Sequence, residues 1–150
     1  MAQQTTRFLL FIAGFTGLCA APLLCPAMQP ELQKYQWEYR LILYTLAPED
    51  SDRFSAKINE ALTQLDERKL RLIALESGAD PLPRSLSLTP DSRMLLAKNL
   101  GVQLGQTELI LIGLDGGIKK RLQTTNLNEI FQLTDAMPMR RRELQKKNEL

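Results

Sequence analysis

Apolar and polar positions follow two rhythms along this chain. Arg40 to Ala47, RLILYTLA, is a nearly unbroken apolar run of strand length, the pattern of a strand covered on both faces. Pro48 stops the run, and the polar loop Glu49-Asp50-Ser51-Asp52 is expected after it. Phe54, Ile58, Ala61, Leu62 and Leu65 then recur at three- and four-residue spacing, the stripe of an amphipathic helix. A charged turn at Asp66-Glu67-Arg68-Lys69 leads to a second apolar run, Leu70 to Leu75.

Residues 76 to 90 read as loop, rich in Ser, Pro and Gly. Helix signals restart at Thr89-Pro90-Asp91, with an N-cap residue, a proline at the first helical position and an acid facing the positive helix end. Met94, Leu95 and Leu100 are the expected buried side, and Gly101 the C-terminal cap. A third apolar run, Glu108 to Leu114, ends in the tight-turn signal Asp115-Gly116-Gly117, so Ile118 to Leu122 should return antiparallel. That turn lacks the length and lysine of a phosphate-binding loop and joins two strands. Asn126 and Glu129 are spaced as a capping box for a helix through Leu127, Ile130, Phe131 and Leu133, which Pro138 disrupts or ends. The order β-α-β-α-β-β-α predicts an α/β fold of thioredoxin-like type, a mixed four-stranded sheet with helices on both faces.

The N-terminus changes the picture. Arg7 precedes an uncharged stretch from Phe8 to Cys25, and small residues follow, as in a secretory signal. Residues 1–27 are therefore read as a signal peptide, 28–145 as the domain and 146–150 as a basic tail, with an exported, periplasmic or secreted destination. A retained membrane anchor and a lipoprotein are the rival readings. Gly14, Gly17 and Pro22 interrupt the apolar stretch, and leucine precedes both Cys19 and Cys25, where a small residue is expected before a lipid-bearing cysteine. Contact with a membrane is expected only if the segment is uncleaved. Loss of residues 1–27 removes both cysteines, and the chain has no histidine. Thiol–disulfide exchange is then excluded from the mature chain, no cofactor or metal is expected, and the domain is read as no enzyme.

Three segments, WEYRLILYTLAPED, LIGLDGGIKKRL and DAMPMRRREL, resemble an uncharacterised thioredoxin-like family, domain of unknown function 4174. It occurs in bacterial exported proteins and in animal extracellular proteins of the sushi-repeat-containing type. The likeness covers roughly residues 35 to 145. It implies a thioredoxin-like fold, an extracytoplasmic setting and a binding role; it carries over no catalytic residues.

Charge then nominates the surfaces. Residues 28–150 hold 18 Lys and Arg against 17 Asp and Glu, yet residues 118–150 hold 8 against 4. Lys119, Lys120 and Arg121 on the fourth strand, with Arg140, Arg141 and Arg142 after Pro138, are the candidate binding residues for an anionic lipid, glycan or acidic protein surface. Nucleic acid is not expected at so small a net charge. Asp135 and Glu143 can instead pair with these arginines and dock the tail. Glu49, Asp50 and Asp52 stand where a redox-active member of the fold carries its thiolate. They are read as a capped helix start, with Ser51 or Asp50 as cap, or alternatively as the site of a carboxylate-based hydrolase; three adjacent acids supply too few oxygens for calcium. Gln106-Thr107 stand where such members carry a cis-proline, which puts the usual groove in doubt. Met137 and Met139 are expected to seal the core, and Trp37 with Tyr39 to cover a sheet edge.

Overall fold

The computed structural model describes residues 29–76 and 81–149. The expected signal segment lies outside the described residues. Among these residues four strands form, β1 Arg40–Thr45, β2 Leu70–Ala74, β3 Glu108–Ile112 and β4 Ile118–Leu122. They make one sheet in the order β2-β1-β3-β4. β1 runs parallel to β2, with Arg40 opposite Leu70 and Tyr44 opposite Ala74. It runs antiparallel to β3, with Leu41 opposite Ile112 and Thr45 opposite Glu108. β3 and β4 are antiparallel, with a register shift between Leu111 and Ile112. The helices are α1 Pro48–Glu60, α2 Leu62–Glu67, α3 Pro90–Leu100, α4 Leu127–Ala136 and α5 Pro138–Asn148, preceded by a 3-10 turn over Pro30–Tyr35. This is the expected α/β architecture, with one helix more at each of two places.

The pleat sorts the apolar runs into two cores, because successive side chains point to opposite faces. Ile42, Tyr44, Leu72, Leu109 and Leu111 pack under α1, α2 and α4 against Phe54, Ile58, Leu65, Ile130 and Phe131. Leu41, Leu43, Ile73, Ile110 and Ile112 pack on the other face against Leu96, Ala97 and Leu100 of α3 and Leu32 of the 3-10 turn. Double coverage is why these strands read as continuous apolar runs. Burying a Leu or Ile side chain contributes about 1.5–3 kcal/mol, and the described residues of both cores include no cysteine. Among the described residues no helix is long and apolar enough to cross a membrane.

Local chemistry explains the boundaries and corrects several expectations. The chain enters α1 at Pro48 itself, with Ala47 as N-cap and no side-chain cap. Glu49 to Asp52 are thus helix rather than loop, and neither Ser51 nor Asp50 caps it. Proline suits the first helical position because its missing N–H is unneeded there. α1 and α2 are separated at Ala61, whose φ of −101° and ψ of 10° leave helical geometry. Thr89 caps α3 by accepting from the Ser92 N–H at 3.2 Å, and Gly101 closes it at φ 64°. The buried side of α3 is Leu96, Ala97 and Leu100; Met94 and Leu95 are 66% and 47% exposed. Arg93 sets that rotation, donating to the carbonyls of Leu88 at 3.2 Å and Glu76 at 3.0 Å. Asn126 begins α4 without a side-chain cap bond. α4 ends at Ala136, just before Pro138, as expected, and Pro138 then opens a further helix, α5, which carries Lys146 and Lys147 within it.

The edge of β2 is covered. Leu72 donates to the Arg84 carbonyl at 3.1 Å and accepts from the Leu86 N–H at 2.8 Å. Asp66 holds this strap through a forked pair with Arg84, at 2.8 and 2.7 Å, and a bond from Arg71 at 3.1 Å. The hydrogen bonds of Arg84 hold the Asp66 carboxyl below the usual carboxylate range. The other edge, β4, pairs with no further strand among the described residues, and Lys119, Lys120 and Arg121 occupy it. Charges on an open edge oppose strand addition by another chain.

Candidate functional site

The sheet has two poles. At the first, the end of β1, the head of α1 and the start of β3 converge. Thr107 ties them together: its hydroxyl donates to Asp50 Oδ2 at 2.6 Å and accepts from the Ala47 N–H at 3.1 Å. Glu76 ties the neighbouring segment, accepting at one oxygen from Thr45 Oγ1 and from the Gly105 N–H, both at 2.7 Å. A groove of about 930 Å³ opens here, lined by Glu49, Asp50, Gln103, Gln106, Glu108 and Arg121 among others. Thr107 and the residues before it form part of its wall, with no proline among them. In the sequence Thr107 stands out only for the proline absent there, and nothing around Glu76 marks its role.

The three acids of this pole do not converge. Glu49 and Asp50 line the large groove. Asp52 lines a separate cleft of about 350 Å³ with Tyr44, Ser51 and Glu76. Asp50 is occupied by Thr107 and lies 3.6 Å from Arg53. All three stand in the first turns of α1, where negative charge complements the helix dipole. In the side cleft the Tyr44 hydroxyl is buried with no hydrogen-bond partner among the described residues, and burial raises its pKa above the ordinary phenol value.

The six candidate basic residues are dispersed. Lys119 pairs with Asp115 at 2.6 Å across the hairpin turn. Burial pushes the Asp115 carboxyl up, but the Lys119 ammonium and the Gly117 N–H outweigh it and hold the group below its ordinary value. Arg121 is bound to Glu108 at 3.1 Å and to the Leu100 carbonyl at 2.6 Å. Lys120, opposite Leu111, shares the α4 side of the sheet, whereas Arg121, opposite Ile110, shares the α3 side. Strand alternation therefore divides the hairpin cations between two faces. Lys120, Arg141 and Arg142 are exposed and make no ion pair among the described residues.

Arg140 belongs to the interior. Its Nε lies 3.3 Å from Asp135, its Nη1 donates to the Glu67 carbonyl at 2.6 Å, and the same nitrogen lies 3.4 Å from Glu143. Arg40, 1% exposed, meets both oxygens of Glu143 at 3.2 and 3.3 Å and donates to the Arg68 carbonyl at 2.8 Å. Arg68 reaches Asp135 at 2.6 Å and lies over the Phe131 ring at 4.9 Å. Three guanidiniums and three carboxylates, the third from Glu67 at 3.9 Å from Arg68, thus form one network joining β1, the end of α2, α4 and α5. Asp135 and Glu143 dock the C-terminal segment as expected, but into a largely buried network rather than at the surface. Met137 packs on the core as expected, while Met139 is exposed. Trp37 also departs from expectation. It is 61% exposed at a left-handed φ of 67°, whereas Tyr39 packs at the core margin with Arg71 4.8 Å over its ring.

Residues 31–143 match a family model described as Domain of unknown function (DUF4174). No curated protein matches the sequence. Solved structures of similar fold include a reduced 2-Cys peroxiredoxin of Plasmodium vivax, 18% identical, with a TM-score of 0.52 over 70% of this chain and 68% of that one. Thioredoxin peroxidase I of Plasmodium yoelii is 17% identical, with a TM-score of 0.53 over 70% and 76%. The mitochondrial 2-Cys peroxiredoxin of Plasmodium falciparum is 12% identical, with a TM-score of 0.52 over 69% and 77%. At such identities the likeness establishes a thioredoxin-type fold. It also corrects the expectation that the chain is no enzyme and that oxidoreductase chemistry is excluded, since peroxiredoxins are built on this scaffold. That exclusion rested on discarding Cys19 and Cys25, and both lie outside the described residues.

Proposed function

The chain belongs to the DUF4174 family, and on that premise we propose that it is a thioredoxin-like module that engages an anionic partner through the outer face of α5. The division of labour along this helix carries the reading. Arg140 fastens α5 to the end of α2 and Glu143 fastens it to β1, while Arg141, Arg142, Lys146 and Lys147 are exposed and make no ion pair among the described residues. Arg141 and Arg142 also stand near the N-terminus of α5, whose first turn holds no acid. Positive charge there opposes the helix dipole at a cost of about 0.3–1 kcal/mol each. A partner supplying lipid phosphate, acidic glycan or a carboxylate-rich protein face removes that penalty. Arginine forks bind such groups in a bidentate manner.

The test is binding of the purified chain to vesicles with and without anionic lipid, to acidic glycans and to acidic envelope proteins, at low and physiological salt. Each exposed cation near an anionic surface contributes about 1 kcal/mol. Reversal in Arg141→Glu/Arg142→Glu should therefore weaken binding at least ~10-fold. Binding that ignores both salt and this reversal refutes the proposal. The reading includes export, supported by Arg7 ahead of the uncharged stretch Phe8–Cys25. N-terminal sequencing of the protein from its host should then begin at Met28; recovery of the intact Met1 form from the cytoplasm counts against it.

A further inference from the structure

Helix α3 is apolar on two sides. Its inner side, Leu96, Ala97 and Leu100, packs on the sheet. Its outer side leaves Met94 and Leu95 exposed next to each other in mid-helix. Of the large apolar side chains exposed among the described residues, only these two adjoin in sequence. Single exposed apolar residues are ordinary, whereas an apolar patch rimmed by polar groups marks an interaction surface. Both ends of the helix are capped, at Thr89 and Gly101, and the Arg93 tether to the Leu88 and Glu76 carbonyls fixes the rotation that turns this pair outward.

The rim of the patch specifies what fits it. Asp91 precedes the Met94–Leu95 pair by three residues, and Lys98 follows it by three. At 3.6 residues per turn the four side chains share a sector of about 100° on the helix. Asp91 and Lys98 are both exposed and have no ion-pair partner among the described residues. The outer face is therefore acid, apolar pair, base, even in spacing about its centre and opposite in sign at its ends. Two such helices laid antiparallel across a two-fold axis set each Met94 against the partner's Leu95 and each Asp91 beside the partner's Lys98. Self-complementarity of this kind is what an isologous contact requires. A partner of a single charge sign meets repulsion at one end of the face, from Asp91 if it is anionic and from Lys98 if it is cationic.

We propose that the outer face of α3 docks on the same face of a second copy of the chain, forming a two-fold homodimer centred on Met94 and Leu95. The surface shares no residue with the exposed cations of α5. A contact between two helices is small, and interfaces under about 1,200 Å² are transient ones, so dilute chain stays monomeric and sedimentation equilibrium is followed up to ~1 mM. The purified chain should there approach twice the monomer mass. Leu95→Glu, Asp91→Lys and Lys98→Glu should each weaken self-association at least ~10-fold, since every change is met twice across the axis and like charges are brought together. Mixing the Asp91→Lys chain with the Lys98→Glu chain should restore dimers, because one then carries two cations on this face and the other two acids. Arg141→Glu/Arg142→Glu should leave the equilibrium unchanged. A wild-type chain still monomeric at ~1 mM leaves this face to residues 1–27 or to a foreign chain, and overturns the proposal. Association that ignores Leu95→Glu, or charge variants that fail to pair when mixed, would do the same.

Discussion

Arg40 opens an apolar run, and a cation there is already a signal that a partner must exist, since buried charges are paired. The identity of that partner was hidden by distance: Glu143 lies 103 residues further on. Asp135 and Glu143 were legible as docking residues from their place beside the arginine run, but their depth was not. Removing one member of a buried pair strands the other. Glu143→Leu should therefore destabilise the fold by about 3 kcal/mol in urea denaturation, whereas Arg40→Met/Glu143→Leu should recover much of that loss. Trp37 gives the opposite case. A bulky left-handed residue costs about 1–2 kcal/mol, and glycine's extra unfolded-state entropy offsets about 0.5–1 kcal/mol of any relief. Trp37→Gly should accordingly leave stability unchanged or raise it by up to about 1 kcal/mol, read from the same denaturation curves.

At the scale of elements, patterning succeeded wherever contrast was high. The turn Asp115-Gly116-Gly117, the cap at Thr89 and the limits of β4 were all legible, because glycine, proline and small polar residues punctuate them. Contrast failed in α3, where Met94-Leu95-Leu96-Ala97 are apolar in succession and offer no stripe. The tether from Arg93 to the Leu88 and Glu76 carbonyls decides which pair turns inward. Leu96→Ala should then cost about 2–5 kcal/mol, and Leu95→Ala no more than about 0.5 kcal/mol. α5 escaped notice because it buries little beyond Arg140 and shows no apolar period. The head of α1 begins earlier than expected, at Pro48 with Ala47 as N-cap, and the Thr107 bridge depends on a contact 57 residues away in sequence. Thr107→Val should destabilise the fold by about 1 kcal/mol and speed hydrogen exchange at the Ala47 amide, with little change in β2.

For the whole molecule, the parallel crossover and hairpin were enough to give the sheet's class, since they fix which strands can neighbour one another. The strap over β2 was not legible: it rests on the Asp66–Arg84 fork, which joins two segments read simply as turn and loop. Two lowered carboxyls, Asp66 and Asp115, set an acid limit on this assembly. A folded pKa below the unfolded one gives stability that is complete above the ordinary aspartate value, about 3.9. It is lost as pH falls through the lowered values. Asp66→Asn and Asp115→Asn should therefore each flatten the decline of stability below about pH 4, measured by denaturant midpoints across pH.

The network around Arg40 also bears on the order in which the molecule can be made. Both cores are composed of segments present once α4 has been synthesised, yet the buried guanidinium of β1 waits for a carboxylate on α5, the last helix described. During synthesis the earlier strands can gather, but the guanidinium of β1 lacks its carboxylate until α5 has emerged. Closure is then a step that α5 completes, and the growing chain remains open to whatever handles it before that helix arrives.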